Sequence, residues 1–209
     1  MRPEDKMSYI NFKKREHGVN SHTNCSICSE CGGRCCKTGG CGLMTCDIPD
    51  ISVEGITKLL DSDKYSITFL YSDLFGIIPT MHTREEKADR INISPIRKAC
   101  SLLKNNGCTL SREERPTLGL LLIPEPNFDC NLIVDGFDSI HDWLPIKDVM
   151  EEVILKETGK TSKELFYRGC IDAAMELRTK LYAGIKLNAG EISALQLLDN
   201  CNVITVIFD

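Results

Sequence analysis

The chain has 209 residues, 12 of them cysteine, with 42% hydrophobic and 26% charged residues and a formal net charge of −5. That balance is ordinary for a soluble globular protein, and its mild acidity gives no reason to expect nucleic acid or an anionic membrane as the main partner. No apolar run approaches the ~20 residues of a membrane span, and MRPEDKMSYINFKKREHGVN has no apolar secretory core, so the expected compartment is the cytoplasm, where thiols stay reduced.

Residues 1–24 read as a polar arm, with Lys13, Lys14 and Arg15 beside Glu16 and His17. The competing reading is a helix packed over the cysteines that follow, with Tyr9, Ile10 and Phe12 making the contact. His22 lies three residues before Cys25, a spacing that suits a metal ligand, although a solvated histidine is the plainer reading.

The run Cys25–Cys46, CSICSECGGRCCKTGGCGLMTC, holds seven of the cysteines: Cys25, Cys28, Cys31, Cys35, Cys36, Cys41 and Cys46. Cys25, Cys28, Cys31 and Cys35 are spaced C-x2-C-x2-C-x3-C, as around iron–sulfur clusters such as [4Fe–4S], but Cys36 stands where a proline usually follows. Cys25/Cys28 and Cys28/Cys31 equally fit the C-x2-C knuckle that grips zinc, because two intervening residues let both sulfurs reach one centre. The adjacent pair Cys35–Cys36 diverges and can feed two sites or two edges of one. Glycines 32, 33, 39, 40 and 42 permit the close backbone approach of a wrap, and Arg34 and Lys37 can offset thiolate charge. A disulfide knot would need an oxidising compartment that nothing in the N-terminal sequence suggests.

Beyond the run, Ser52 is a candidate N-cap for a helix carrying Ile56, Leu59 and Leu60 at helical spacing. Tyr65–Tyr71 (YSITFLY) has the β-branched and aromatic content of a strand. Arg84–Arg90 is charged and fits helix or loop, and Asn92–Pro95 is a break. Cys100 and Cys108 flank an Asn106-Gly107 turn signal, which predicts two short extended pieces each presenting a thiol. Leu118–Ile123 reads as a buried strand ending at Pro124, with Cys130 in a polar loop after it.

Three features together resemble the YkgJ-type cysteine-cluster family of zinc- or iron-chelating domains, which is related to the flagellin lysine-N-methylase (FliB) group. They are the C-x2-C…Cys35-Cys36 cluster, the helix opening I-P-D-I-S-x-E-G-I from Ile48, and C-x-L-x(4)-G-C-x-L…R-P from Cys100 to Pro116. The resemblance covers roughly residues 25–130 and implies metal ligands among Cys28, Cys31, Cys35, Cys36, Cys100 and Cys108. Leu118 stands where that pattern has a further cysteine, so Cys130, Cys41 and Cys46 compete for the last position.

In the C-terminal third, Val149, Met150, Val153 and Ile154 share a helical face that stops at Gly159. Thr161 and Glu164 form a capping-box pair that opens a long helix with Phe166, Cys170, Ala173, Ala174, Leu177, Leu181 and Gly184 on one stripe. Cys170 on that stripe is expected to be a buried small hydrophobe. Asn188 and Glu191 predict another helix start, with Ile192, Leu195 and Leu198 on it; Cys201 is expected to be structural and Val203–Phe208 a terminal strand. Trp143 beside Pro145 looks like a packing anchor.

The expected fold class is α+β, mostly helical: an irregular cysteine-rich metal-binding region with short strands, packed against a C-terminal helical layer. Residues 1–24 form the arm, 25–130 the cysteine region, and 131–209 a helical segment ending in a strand and sharing one folded unit with 25–130. No Walker loop, G-x-G-x-x-G, G-x-S-x-G or H-E-x-x-H occurs, and Asp47, Asp50, Asp135 and Asp138 read as solvated acids. The leading expectation is a metal-binding protein that holds zinc or iron with Cys25, Cys28, Cys31, Cys35, Cys36, Cys41, Cys46, Cys100, Cys108 and Cys130 as the donor pool, alone or with a protein partner. The alternative is an iron–sulfur enzyme related to protein-lysine N-methylases.

Overall fold

β-Branched and aromatic residues in Tyr65–Ser72 and β-branched residues in Gly76–Thr83 favour the two strands, β1 and β2, of one long antiparallel hairpin. Its register runs from Tyr65 opposite Thr83 to Ser72 opposite Gly76, which takes a positive φ of 70° to close the turn. The computed structural model describes residues 6–16, 33–104, 107–111, 113–124, 130–134 and 136–201. Over these the chain is α+β and mostly helical, with three two-stranded antiparallel sheets.

In chain order the remaining elements begin with α1 (Lys6–Glu16), α2 (Arg34–Lys37), a 3-10 turn at Thr45–Asp47 and α3 (Val53–Asp61). After the hairpin come β3 (Leu103–Lys104), β4 (Gly107–Cys108), α4 (Thr117–Leu120), β5 (Leu122–Pro124) and β6 (Cys130–Leu132). The chain then continues with α5 (Gly136–Trp143), α6 (Lys147–Thr158), α7 (Ser162–Tyr182) and α8 (Ala189–Asn200).

The hairpin runs between two apolar cores. In the first, Ile67, Ile78 and Met81 meet Ile56 and Leu60 of α3, Trp143 of α5 and Met150, Val153 and Ile154 of α6. Each such side chain, fully buried, contributes about 1.5–3 kcal/mol. In the second, Phe166, Cys170, Ala173, Ala174 and Leu177 of α7 meet Ala194 and Leu198 of α8, with Tyr71 and Ile77 of the hairpin packed against them. Phe166 stacks on Tyr71 with centroids 6.0 Å apart and meets Phe69 edge-on at 6.3 Å. The first core draws on residues from Leu43 to Leu165, so the cysteine-bearing and C-terminal segments share it. At Gly169 an added Cβ would collide with the carbonyl oxygen of Ile93, and only glycine lets α7 lie this close.

The helix boundaries follow the local signals. Ser52 Oγ accepts from Gly55 N at 3.1 Å. Thr161 and Glu164 satisfy each other's backbone N–H groups at 2.8 and 3.2 Å, and Asn188 and Glu191 do so at 2.8 and 3.0 Å. Gly159 ends α6 with φ of 68°. Cys170 is buried in the α7 stripe, and burial pushes its thiol up to about 12. Leu181, expected on that stripe, is instead 47% exposed in the last turn of α7. Cys201 is half-buried against the second core, and Arg84–Arg90 is not helical. Val203–Phe208 lies outside the described residues.

Two expectations are corrected. Leu118–Ile123 is not one strand: Thr117–Leu120 makes a helical turn before β5, which pairs with β6, so Cys130 begins a strand rather than sitting in a loop. The cause is tertiary. Pro116 presets φ at −55°, and the Asp47 carboxylate accepts both Thr117 N at 2.8 Å and Thr117 Oγ1 at 2.9 Å, acting as a cap from a distant segment. The arm is also not merely polar, because its residues 6–16 form α1. Ile10 is buried with Leu121, Ile133 and Val134, and Tyr9 packs beside it, whereas Phe12 stays 49% exposed. Lys6 Nζ donates to Arg115 O at 2.7 Å and pairs with Asp47 at 2.7 Å, while Lys13 pairs with Asp138 at 2.8 Å.

Ile10→Ala should therefore destabilise the protein by about 2–4 kcal/mol in urea unfolding, the range for a truncated core residue. A change within about 0.5 kcal/mol, as expected for a solvated arm, would show that α1 is not docked.

Candidate metal centre

The end of the hairpin gathers the cysteine segments. Residues 41–43 run antiparallel to the end of β2: Leu43 N donates to Met81 O at 2.8 Å, Thr83 N donates to Cys41 O at 3.0 Å, and Gly42 bridges His82. Just past β2, residues 99–101 pair with the continuing chain, with Glu86 N donating to Ala99 O at 2.7 Å and Ser101 N to Arg84 O at 2.9 Å. Thr83 joins the two additions. Its Oγ1 accepts from Cys41 N at 2.9 Å and from Cys100 Sγ at 3.4 Å. A Cβ at Gly40 would overlap that same hydroxyl, which explains the glycine next to Cys41.

Cys36 is stitched to the same edge, since Cys100 N donates to Cys36 O at 2.7 Å. The α2 turn that carries Cys36 starts at Gly33 with φ of 74°, where a Cβ would press on Leu103 of β3. Cys108 on β4 sits opposite Leu103, so two extended pieces form, but only β4 presents a thiol, because Cys100 lies before β3 and bridges Glu85 instead. Cys41 Sγ faces Gly119 of α4, 2.9 Å from where a Cβ would stand.

Cys46 is placed differently. It is 1% exposed, its Sγ lies 3.3 Å from Thr117 Oγ1, and burial, against the partial offset of that bond, pushes its thiol up to about 11. The turn holding it is fixed by Asp142, whose carboxylate accepts Thr45 N at 2.6 Å and Thr45 Oγ1 at 2.7 Å, and by Trp143 Nε1, which donates to Leu43 O at 3.2 Å. Asp47, its side chain 5% exposed, is engaged with Lys6, contrary to its reading as a solvated acid, while Asp138 pairs with Lys13 and stays 40% exposed. Cys25, Cys28 and Cys31, along with His22 and Asp135, lie outside the described residues; Cys35 belongs to α2. Among the described residues, no group of three or more histidine, cysteine, aspartate or glutamate side chains is gathered for a metal ion. Cys41, Cys46, Cys100 and Cys108 are free thiols.

Beside the thiols lies a polar network that the sequence did not announce. Arg97 Nε pairs with Glu85 Oε1 at 3.0 Å, and its Nη2 lies 2.6 Å from His82 Nδ1. Glu85, 3% exposed, also accepts Lys98 N at 2.8 Å. The Arg97 side chain packs under Gly39, 3.4 Å from where a Cβ would stand. A guanidinium has no acceptor, so the nearer ring nitrogen, His82 Nδ1 at 2.6 Å against 3.4 Å for Nε2, is assigned as the acceptor and the ring proton to Nε2. Burial, and then the Arg97 charge, hold the His82 imidazolium well below its ordinary range, so the ring is neutral. No spacing links these three residues in the sequence; only the pairing of 99–101 with the end of β2 brings them together.

Fold and site together define an α+β chain with a thiol-bearing edge at the open end of a β-hairpin. No protein-family model, curated protein or solved structure matches it.

The neutral His82 has a consequence for stability. Its folded pKa is depressed, so the stabilisation is complete above the unfolded value near 6.5 and is lost as pH falls below it, because only the unfolded ring takes up a proton. Between pH 7.5 and 5.5 this contribution should fall by about 1 kcal/mol. Urea unfolding of wild type and His82→Asn at both pH values measures it as a difference. Equal pH dependence in the two proteins would contradict the neutral assignment.

Proposed function

We propose that this chain is a metal-binding protein whose cysteines hold zinc or iron, with donors from residues 25–46 joined by Cys100 and Cys108. The observation that supports it best is the stitching of Cys36, Cys41 and Cys100 to one hairpin end, through the Cys100 N–Cys36 O bond and the shared Thr83 hydroxyl. Segments more than fifty residues apart in sequence, those of Cys36 and Cys41 and that of Cys100, are thereby brought together. The donor chemistry fits. Thiolates are soft ligands that select zinc or iron–sulfur centres over hard cations, and four of them on one Zn²⁺ leave a net charge of −2 that nearby amides and cations must offset.

In this reading Cys25, Cys28, Cys31, Cys35 and Cys36 supply the first donors, and Cys41, Cys100 and Cys108 close the site. Cys130 and Cys46 are reserves; the burial of Cys46 opposes the thiolate that a ligand must become. A bound zinc would tie the wrap together and serve storage or delivery, whereas a cluster would add electron transfer. The spacing Cys25 to Cys35 keeps the iron–sulfur enzyme as the second reading, with protein-lysine N-methylation as its suggested chemistry. A reducing compartment such as the cytoplasm suits either reading. No helix among the described residues is long and apolar enough to cross a membrane.

The test is purification with and without oxygen, followed by metal analysis and a visible spectrum. Zinc in near-integral amount on a colourless protein supports the first form, and brown, air-sensitive protein containing iron and sulfide supports the second. A folded, metal-free protein from both preparations overturns the proposal. Cys36→Ser and Cys100→Ser should each lose most of the metal and lower the melting temperature, because binding energy at such a site is folding energy. Cys170→Ala should keep the metal, since that thiol is core packing.

A further inference from the structure

Between the cysteine segment and the hairpin lies a cavity of about 180 Å³. An apolar protein cavity of about 150 Å³ accommodates benzene, so this one has room for a single small ring. Its walls are mostly apolar, with Met81, Leu118, Val134 and Trp143 among them and Leu132, 41% exposed, at the rim. Gly42 leaves one wall open. The place its Cβ would take is 2.7 Å from Leu118 Cδ1 and 3.1 Å from His82 Nε2, so that nitrogen borders the empty space.

The polar side chains of the lining are those of Thr80, His82, Ser139 and Trp143. Thr80 is engaged with Thr68, the two hydroxyls 3.2 Å apart, and the Trp143 N–H is used by Leu43 O. With the Arg97 contact assigned to Nδ1, the nearer ring nitrogen, His82 presents an N–H donor from Nε2, itself 3.4 Å from Arg97 Nη2. Among the described residues, no Asp, Glu, Lys or Arg lines the cavity. A charged ligand would lose its hydration here with no opposite charge to replace it, and a water molecule needs two to four polar partners, which a mostly apolar wall serves poorly.

We propose that this cavity is a binding site for a small, uncharged, mainly apolar molecule carrying one hydrogen-bond acceptor, such as a cyclic ketone, with the acceptor held by His82 Nε2–H. The site is separate from the cysteine donors and stands whether or not the chain binds metal. The pinned tautomer fixes the ligand's orientation, and the apolar walls supply its affinity.

The probe is cyclohexanone, titrated into the whole protein while the ¹⁵N signals of the histidine rings are followed by NMR. The expected result is a saturable shift of the His82 Nε2 signal, with dissociation in the millimolar range. Cyclohexane, which has the ring without the acceptor, should bind about threefold to tenfold more weakly, the factor one neutral hydrogen bond supplies. Leu132→Trp, at the exposed rim, should block entry while leaving the melting temperature near that of wild type. His82→Phe should reduce ketone binding to the level of the hydrocarbon; should that variant fail to fold, the comparison of the two probes on wild type carries the same information. A wild-type signal that does not saturate, equal binding of the two probes, or undiminished binding to folded Leu132→Trp would overturn the proposal.

Discussion

Much of the structure around the thiols depends on one carboxylate. Asp47 Oδ2 accepts Met44 N at 3.0 Å and Thr117 N at 2.8 Å, while Oδ1 accepts Thr117 Oγ1 at 2.9 Å and pairs with Lys6 at 2.7 Å. Three segments thus share one buried anion: the turn at the end of the cysteine run, the start of α4 and the first residue of α1. Each accepted N–H also offsets the cost of burying the charge, which is why the group is tolerable there. Removing any one partner would leave the others around an incompletely satisfied buried ion, a loss of several kcal/mol rather than the small value of a surface pair. The α4 turn then places Leu118 on the cavity wall and Gly119 against Cys41.

The second constraint is the open end of the hairpin. An exposed strand end offers unpaired backbone groups, and here two separate segments take them, one before β1 in sequence and one after β2. Side-chain chemistry follows from that backbone arrangement. Thr83 faces both additions and can bond to Cys41 and Cys100 together, and Glu85 and Arg97 meet because residues 97–101 return along 84–86. The thiol edge and the His82 network are therefore two sides of one pairing event. The hydrophobic pressure that holds it comes from the first core, in which Met81 and Leu43 from the paired segments are both 2% exposed or less.

This division accounts for what the sequence could and could not disclose. The helices α3, α6, α7 and α8 and the strand β1 were legible because their signals are local: Ser52, Gly159, Thr161–Glu164, Asn188–Glu191 and the β-branched and aromatic content of Tyr65–Tyr71 act within a few residues of the structure they set, whereas β2 was not foreseen. The β3–β4 pair around Cys108 was legible for the same reason. The α4 turn was not, since its cap comes from Asp47, 70 residues away. The helix α1 was only the competing reading, because its lysines look like a solvated face but reach Asp47 and Asp138. His82, Arg97 and Glu85 carry no spacing signature at all, because chain pairing rather than a motif assembles them.

The same reasoning divides the cysteine run by role. Cys46, at its end, is enclosed with Asp47 and Asp142 nearby, so both burial and negative charge favour its thiol form. Cys36 and Cys41 sit where the run meets the hairpin end, tied to Cys100 by backbone and hydroxyl contacts that orient the segments without enclosing a closed set of sulfurs. No three described donors gather for a metal ion, so a centre at this edge has to draw on Cys25, Cys28, Cys31 or Cys35 to complete its coordination. Under the proposed metal-binding function, the hairpin end would supply one part of the donor set, and metal capture would be coupled to the folding of the cysteine segment, the regime in which ligand binding contributes directly to stability.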